Sequence, residues 1–174
     1  MEIVAERPEH AAAIETLLDL SFGAERHART SYRLRRGVPP CAALCHVALE
    51  EGELRGSLRF WPVIAAGQAA LLLGPLAVAP EHRGRGFGVA LIRHGLALAE
   101  RGDHRFVLLV GDPDYYGRFG FTRNLTRGLT LPGPFEDRRF LGLELTPGAL
   151  DGLTGNVTSA AASACRVRAA AALA

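Results

Sequence analysis

The sequence predicts an α+β fold: a mixed, mostly antiparallel central sheet flanked by helices. The order of its segments carries that expectation. It reads strand, two helices, three antiparallel-looking strands, helix, strand, short helix and two further strands. The strand segments alternate apolar and polar residues, whereas the helical ones repeat apolar residues every three to four positions. A further observation is the stretch Leu76 to Ile92, LAVAPEHRGRGFGVALI, where an apolar run passes through two arginines and three alternating glycines into an apolar helix.

In chain order, EIVAERPEH is a short strand that ends at Pro8. In the following segment Ala13, Ile14, Leu17, Leu18 and Phe22 recur at helical spacing, and Gly23 stops that helix. AERHARTSYRLRRG reads as a second, strongly basic helix closed by Gly37 and Pro39–Pro40. ALCHVALEE and LRGSLRFWPVI form a hairpin through Gly52, with His46, Ala48 and Glu50 alternating against Val47 and Leu49. AALLLGPLAVAP is a third strand interrupted at Gly74–Pro75, where proline removes a ladder donor; a bulge or a parting of strands is expected there. The helix after the glycines presents Val89, Ile92, Leu96 and Ala99 on one face. RFVLLVGD is a buried strand, PDYYGRFGF a short helix ending at Gly120, and RGLTLP and RRFLGLELTPG the last strands. One domain, residues 1–158, is expected, followed by a low-information tail, 159–174, that is either a terminal helix or poorly ordered.

Composition narrows the function classes. The net charge of +2 gives no global drive toward nucleic acid or an anionic membrane. No apolar run approaches the length of a membrane span, and the start MEIVAERPEH lacks the basic-then-apolar order of a secretion signal, so a cytoplasmic protein is expected. Cys41, Cys45 and Cys165 fit a reducing compartment and small buried apolar roles better than a disulfide framework. Cys41, Cys45 and His46 match no standard zinc spacing, so no metal is expected.

A strand that enters glycines and then a helix is an anion-binding geometry, because the first helical amides lack internal partners and the helix dipole adds positive charge. Arg83 and Arg85 add forked donors. The lysine-bearing nucleotide loop is excluded, since the chain has no lysine. The dinucleotide fingerprint fails at its sixth position, where Val89 follows Gly84 and Gly86. The pattern R-x-x-G-x-G is satisfied by Arg83, Gly86 and Gly88. A solvated turn with arginines facing water is the alternative.

With its surroundings, this loop resembles that of the GNAT superfamily of N-acetyltransferases, small bacterial type. The resemblance spans about Glu2 to Leu145 and is densest from Leu73 to Phe121. The signature [Q/R]-x-x-G-x-[G/A] reads Arg83-Gly84-Arg85-Gly86-Phe87-Gly88, and the later motif reads Tyr116-Gly117-Arg118-Phe119-Gly120-Phe121. The resemblance implies acetyl-CoA as co-substrate and two central parallel strands that splay to admit its pantetheine arm. Leu76, Ala77 and Val78 would offer backbone groups to that arm, and the amides from Arg83 through Gly84, Arg85, Gly86, Phe87 and Gly88 to Val89 would hold the pyrophosphate. Tyr116 would donate the proton that the departing thiolate needs; its alternative role is packing beside the cofactor. Tyr115 would serve packing or substrate contact. The chain has Asp112 after the fifth strand where the family often has asparagine.

The expected reaction is direct attack of a primary amine, on a small molecule or a peptide, on the thioester in a ternary complex. For the general base Glu50, Glu51, Glu53, Asp112, Asp114 and water all remain open. The acceptor region would comprise Phe22 to Arg36, Arg59 to Trp61 and the loop LPGPFEDRRF; Arg33, Arg35 and Arg36 read as a solvated helix face that could otherwise favour an acidic substrate. Two rival functions are a non-catalytic CoA-sensing domain and a nucleic-acid-binding module. The resemblance also leaves open a homodimer through the C-terminal strands.

Overall fold

The computed structural model describes residues 1–160. Strand β1 (Glu2–Ala5) pairs antiparallel with β2 (His46–Glu50), which turns through Glu51 and Gly52 into β3 (Glu53–Ala65). Both turn residues have positive φ, the backbone that matches the twist of a two-residue hairpin. Ala66 and Gly67 repeat that turn and lead into β4 (Gln68–Val78). β5 (Phe106–Val110) lies parallel to β4, and β7 (Phe140–Glu144) lies antiparallel to β5, so the main path runs β1-β2-β3-β4-β5-β7. The predicted mixed, mostly antiparallel sheet is the one observed.

Helix α1 (Ala11–Phe22) buries Ile14, Leu17 and Leu18 against Val47, Ala77 and Ala79, and ends at Gly23. Helix α3 (Phe87–Arg101) covers the opposite face of the sheet. Its buried stripe is Gly88, Leu91, Ile92, Gly95 and Ala99, while Val89 and Leu96 are only half-buried. Apolar periodicity placed the stripe about one residue off because glycines carry no hydropathy signal. Gly95 is in fact where the helix comes closest to Phe60, a ring with no exposure. β5 is buried on both faces: Phe106 and Leu108 join one cluster, and Val107 and Leu109 the other.

Three expectations change. The second basic helix is instead a 3₁₀ segment, Ala24–Ala28, followed by the short α2 (Thr30–Arg33). The cause is Arg26, which turns inward and is buried, donating to Asp19 at 2.8 Å, Glu15 at 2.6 Å and the Tyr32 hydroxyl at 3.0 Å. The second change is a strand that the sequence does not announce, β8 (Gly155–Ser159). It pairs with the far half of β3 at Val63–Ala65 and, in parallel, with β6 (Leu129–Thr130). Only Val157 within it is fully buried, so its sequence carries little apolar pattern. The predicted tail therefore begins as strand, and its remainder, 161–174, lies outside the described residues. Finally, Cys45 is a buried free thiol whose Sγ lies 3.2 Å from the Cys41 carbonyl oxygen, and burial pushes it up to about 11. Cys41 is disulfide-bonded, which departs from the free thiol expected.

Among the described residues, no helix is long and apolar enough to cross a membrane. Among the described residues, no group of three His, Cys, Asp or Glu side chains could hold a metal ion.

Candidate active site

The interruption at Gly74–Pro75 is where the sheet opens. The peptide between these residues is cis. Opposite it the register of β3 slips by one residue, since Leu58 faces Leu76 while Phe60 faces Leu73. On the other edge, β4 and β5 pair in parallel only at Leu71 with Val107 and Leu72 with Leu108, and then part. A cavity of about 340 Å³ occupies the gap. Leu73–Leu76 form one wall, Val110–Asp112 the other, and Tyr115 and Tyr116 line it from helix α4 (Pro113–Tyr116).

Past the splay, strand alternation sorts the backbone groups of β4. The Ala79 amide donates to Arg55 on β3 at 2.8 Å. By the period of two, Ala77 also turns its polar groups to β3, and Leu76 and Val78 turn theirs toward the gap. Of the three consecutive residues singled out in the sequence, two thus turn their backbone groups to the gap, with the Val78 carbonyl already accepting from Arg83.

The loop that follows forms a second cavity, lined by Leu76, Val78, Arg83, Gly84, Gly86 and the first turn of α3, with Tyr115 and Arg118 opposite. Gly84 has φ 75° and Gly86 φ 89°, the left-handed region that glycine enters without cost. Gly86 is the N-cap of α3 and its carbonyl accepts from Ala90 at 2.9 Å, so the amides of Phe87, Gly88 and Val89 have no partner inside the helix. Arg83 donates through Nε to the Val78 carbonyl at 3.3 Å. Arg85 is half-exposed and pairs with Glu50 at 2.8 Å, and Glu50 also meets the buried His82 at 3.3 Å. Of the predicted loop residues, Arg85 does not line this cavity and turns its half-exposed side chain to Glu50, while Phe87, 2% exposed, sends its ring into the core.

The two cavities meet at Leu76 and Tyr115. Tyr116 stands deeper, with its ring edge against Gly111, where any Cβ would collide with it. Burial, and then neighbouring Tyr115, push the Tyr116 phenol above its ordinary pKa, so it holds its proton throughout the neutral range. Tyr115 and Tyr116 pack edge to face at 5.0 Å.

A third cavity adjoins the gap and shares Tyr32, Arg35 and Pro75 with it. Glu15, Leu18, Arg26, His27, Arg36, Arg59 and Trp61 complete its lining, so part of the predicted acceptor region meets here; Arg139, from the late loop, lines the gap. Arg33 instead donates to the Pro132 carbonyl at 3.2 Å. Glu15 went unnoticed in the sequence because it looks like any solvated helix carboxylate. Burial raises its pKa, but hydrogen bonds and charge from Arg26 and Arg59 outweigh that and leave it lowered. Of the acids considered as bases, Glu50, Glu51, Glu53 and Asp114 do not line the gap, and Asp112 caps α4 by accepting from the Asp114 amide at 3.1 Å.

Comparison with known proteins accords with this geometry. The family model described as an acetyltransferase (GNAT) domain matches residues 42–123, from the end of the loop before β2 to the turn after Phe121. The uncharacterized N-acetyltransferase YhbS of Escherichia coli K12 is 33% identical over 160 residues, which cover 90% of this chain and 95% of that protein. The chain belongs to the GNAT family of N-acetyltransferases. Among solved structures, that of Escherichia coli YhbS in complex with CoA superposes with a TM-score of 0.76 at 30% identity, covering 91% of this chain and 89% of the other. A GNAT acetyltransferase from Brucella melitensis, in complex with acetyl-CoA, gives 0.67 at 30% identity, covering 93% and 97%.

Proposed function

We propose that this GNAT protein transfers the acetyl group of acetyl-CoA to the primary amine of an acceptor, by direct attack within a ternary complex. The observation that carries the reading is the parting of β4 from β5 after Leu72 and Leu108, directly continuous with the glycine loop at the start of α3. That path offers an extended thiol-bearing arm a strand edge and offers a pyrophosphate a cradle of amides. Relatives at about 30% identity over nearly the whole chain are structures with CoA and acetyl-CoA, which supports the same donor here.

In this reading the amides of Gly86, Phe87, Gly88 and Val89, with Gly84 and the guanidinium of Arg83, hold the diphosphate. Arg85 would act through the loop's positive field rather than by direct contact, because Glu50 already engages it. The backbone of Leu76 and the amide of Val78 pair with the pantetheine arm, while Arg83 holds the Val78 carbonyl and Ala77 keeps the strand in the sheet. The Leu76 amide, aimed into the gap, polarises the thioester carbonyl and supports the oxyanion once the amine has added. The N–C bond forms in that addition, the C–S bond breaks as the oxyanion collapses, and Tyr116 supplies a proton to the leaving sulfur. Its raised pKa keeps that donor loaded at neutral pH. The lowered pKa of Glu15 makes it a poor base, so the amine's proton leaves through water.

Bisubstrate initial rates with an accepted amine test the ternary complex: intersecting reciprocal plots support it, and parallel ones replace it with an acyl-enzyme. Tyr116→Phe should lower kcat by about 10²-fold or more while acetyl-CoA binds as before. An unchanged kcat would return Tyr116 to a packing role.

A further inference from the structure

Arg35 is a buried cation that the fold leaves without a counter-ion. It lies two residues past α2, is 8% exposed, and its Nε is buried with no hydrogen-bond partner. Among the described residues no carboxylate pairs with it. Its neighbours use up the acids of this wall: Arg26 binds Asp19 and Glu15, and Arg59 binds Glu6 in a fork at 2.8 and 2.7 Å and reaches Glu15 at 3.3 Å. What surrounds the Arg35 guanidinium is Tyr32, whose ring lies at 4.7 Å and whose hydroxyl favours the charge, the ring of Trp61 at 5.8 Å and the opposing positive charges of Arg59 and Arg26. Burial depresses its pKa to about 10, which leaves it charged at neutral pH. A cation so placed is costly to desolvate, and aromatic faces repay only part of that.

Its position suggests what completes it. Arg35 lines both the gap between β4 and β5 and the adjoining cavity, and its Nη2 approaches Gly74 so closely that a Cβ there would stand 3.2 Å away. The charge therefore sits within three residues of the Leu76 amide. We infer that the acceptor is a short amino carboxylate, such as a free amino acid, whose carboxylate forms a forked pair with Arg35 while its amine faces the thioester. An edge of a guanidinium matches the two oxygens and single charge of a carboxylate, and the flanking rings of Tyr32 and Trp61 suit a flat group. The inference rests on the acetyl-transfer reading above.

The test compares acetyl transfer to the standard α-amino acids and short ω-amino acids with transfer to their carboxamides, followed by thiol release from acetyl-CoA. The expected result is at least one acid whose kcat/KM exceeds that of its carboxamide by about tenfold or more, the loss expected when one charged hydrogen-bonded pair is removed. Arg35→Gln should collapse that ratio toward one and Arg35→Lys should leave an intermediate value. A merely structural role would lower both rates together and keep the ratio. If Arg35→Gln does not fold, the wild-type ratio and Arg35→Lys still decide. Carboxamides accepted as well as acids, a ratio indifferent to Arg35, or acetyl-CoA binding with no acid turned over would each overturn the inference. Failure of acetyl-CoA to bind at all would instead overturn the donor reading beneath it.

Discussion

A Cβ at Gly88 would stand 2.7 Å from the hydroxyl oxygen of Tyr115. The first turn of α3 and the aromatic pair of α4 thus meet at the junction between the loop cavity and the strand gap. Gly88→Ala must push the tyrosine aside, and the only room lies in those cavities. We expect acetyl-CoA affinity to fall by about tenfold, corresponding to roughly 1–2 kcal/mol of overpacking. Removing the oxygen in Gly88→Ala/Tyr115→Phe should restore much of it. Additive losses in calorimetric titrations of the two single variants and the double variant would show that the residues do not couple.

Tyr116 predicts the direction of two pH effects. Burial raises its folded pKa above the ordinary value, so folding favours the protonated phenol. That contribution is intact below the unfolded value of about 10 and is lost as pH rises through the folded one. Denaturant unfolding should therefore find stability declining above about pH 10, and declining less in Tyr116→Phe. In kinetics, kcat should show no alkaline loss below that pH. A descending limb near pH 8 would assign the proton to another group.

Gly95 offers a test of packing away from the site. A Cβ there would lie 2.6 Å from Cε2 of Phe60, a ring with no exposure and no open side to move into. Gly95→Ala gains about 1 kcal/mol of helix propensity. It should nevertheless destabilise the fold, because overpacking a filled core costs about 1–3 kcal/mol. Urea midpoints should fall for Gly95→Ala and recover in Gly95→Ala/Phe60→Leu.

The order of elements along the chain and the loop were legible because each rests on local chemistry. Gly52 marks a hairpin, Gly74–Pro75 a break in the ladder, and Arg83-Gly84-Arg85-Gly86-Phe87-Gly88 a backbone that must bend and stay open. What could not be read depends on contacts distant in sequence. Arg26 and Arg35 both look like surface charges, and only the folded chain turns one toward Asp19 and Glu15 and strands the other beside Gly74. Strand β8 escaped notice for a related reason: it fills an edge of β3 left free by β2, a vacancy defined by the sheet and not by residues 155–159 themselves. Tyr116 was found through its motif, whereas the position of Tyr115 over Gly88 needed the fold.

The account turns on the start of α3 as the donor's anchor, and a calorimetric titration of acetyl-CoA into the protein, Gly86→Ala and Gly86→Glu tests that most directly. No atom lies within 4 Å of a Cβ built at Gly86, so both variants keep the space around the loop while sharing the cost of a φ of 89°. The carboxylate alone brings like charge to the diphosphate. The account predicts micromolar binding to the native chain, a modest loss in Gly86→Ala, and a loss of about 100-fold or more in Gly86→Glu, since an opposed like charge costs several kcal/mol. Equal binding by Gly86→Glu and Gly86→Ala, or no binding by the native chain, would contradict it.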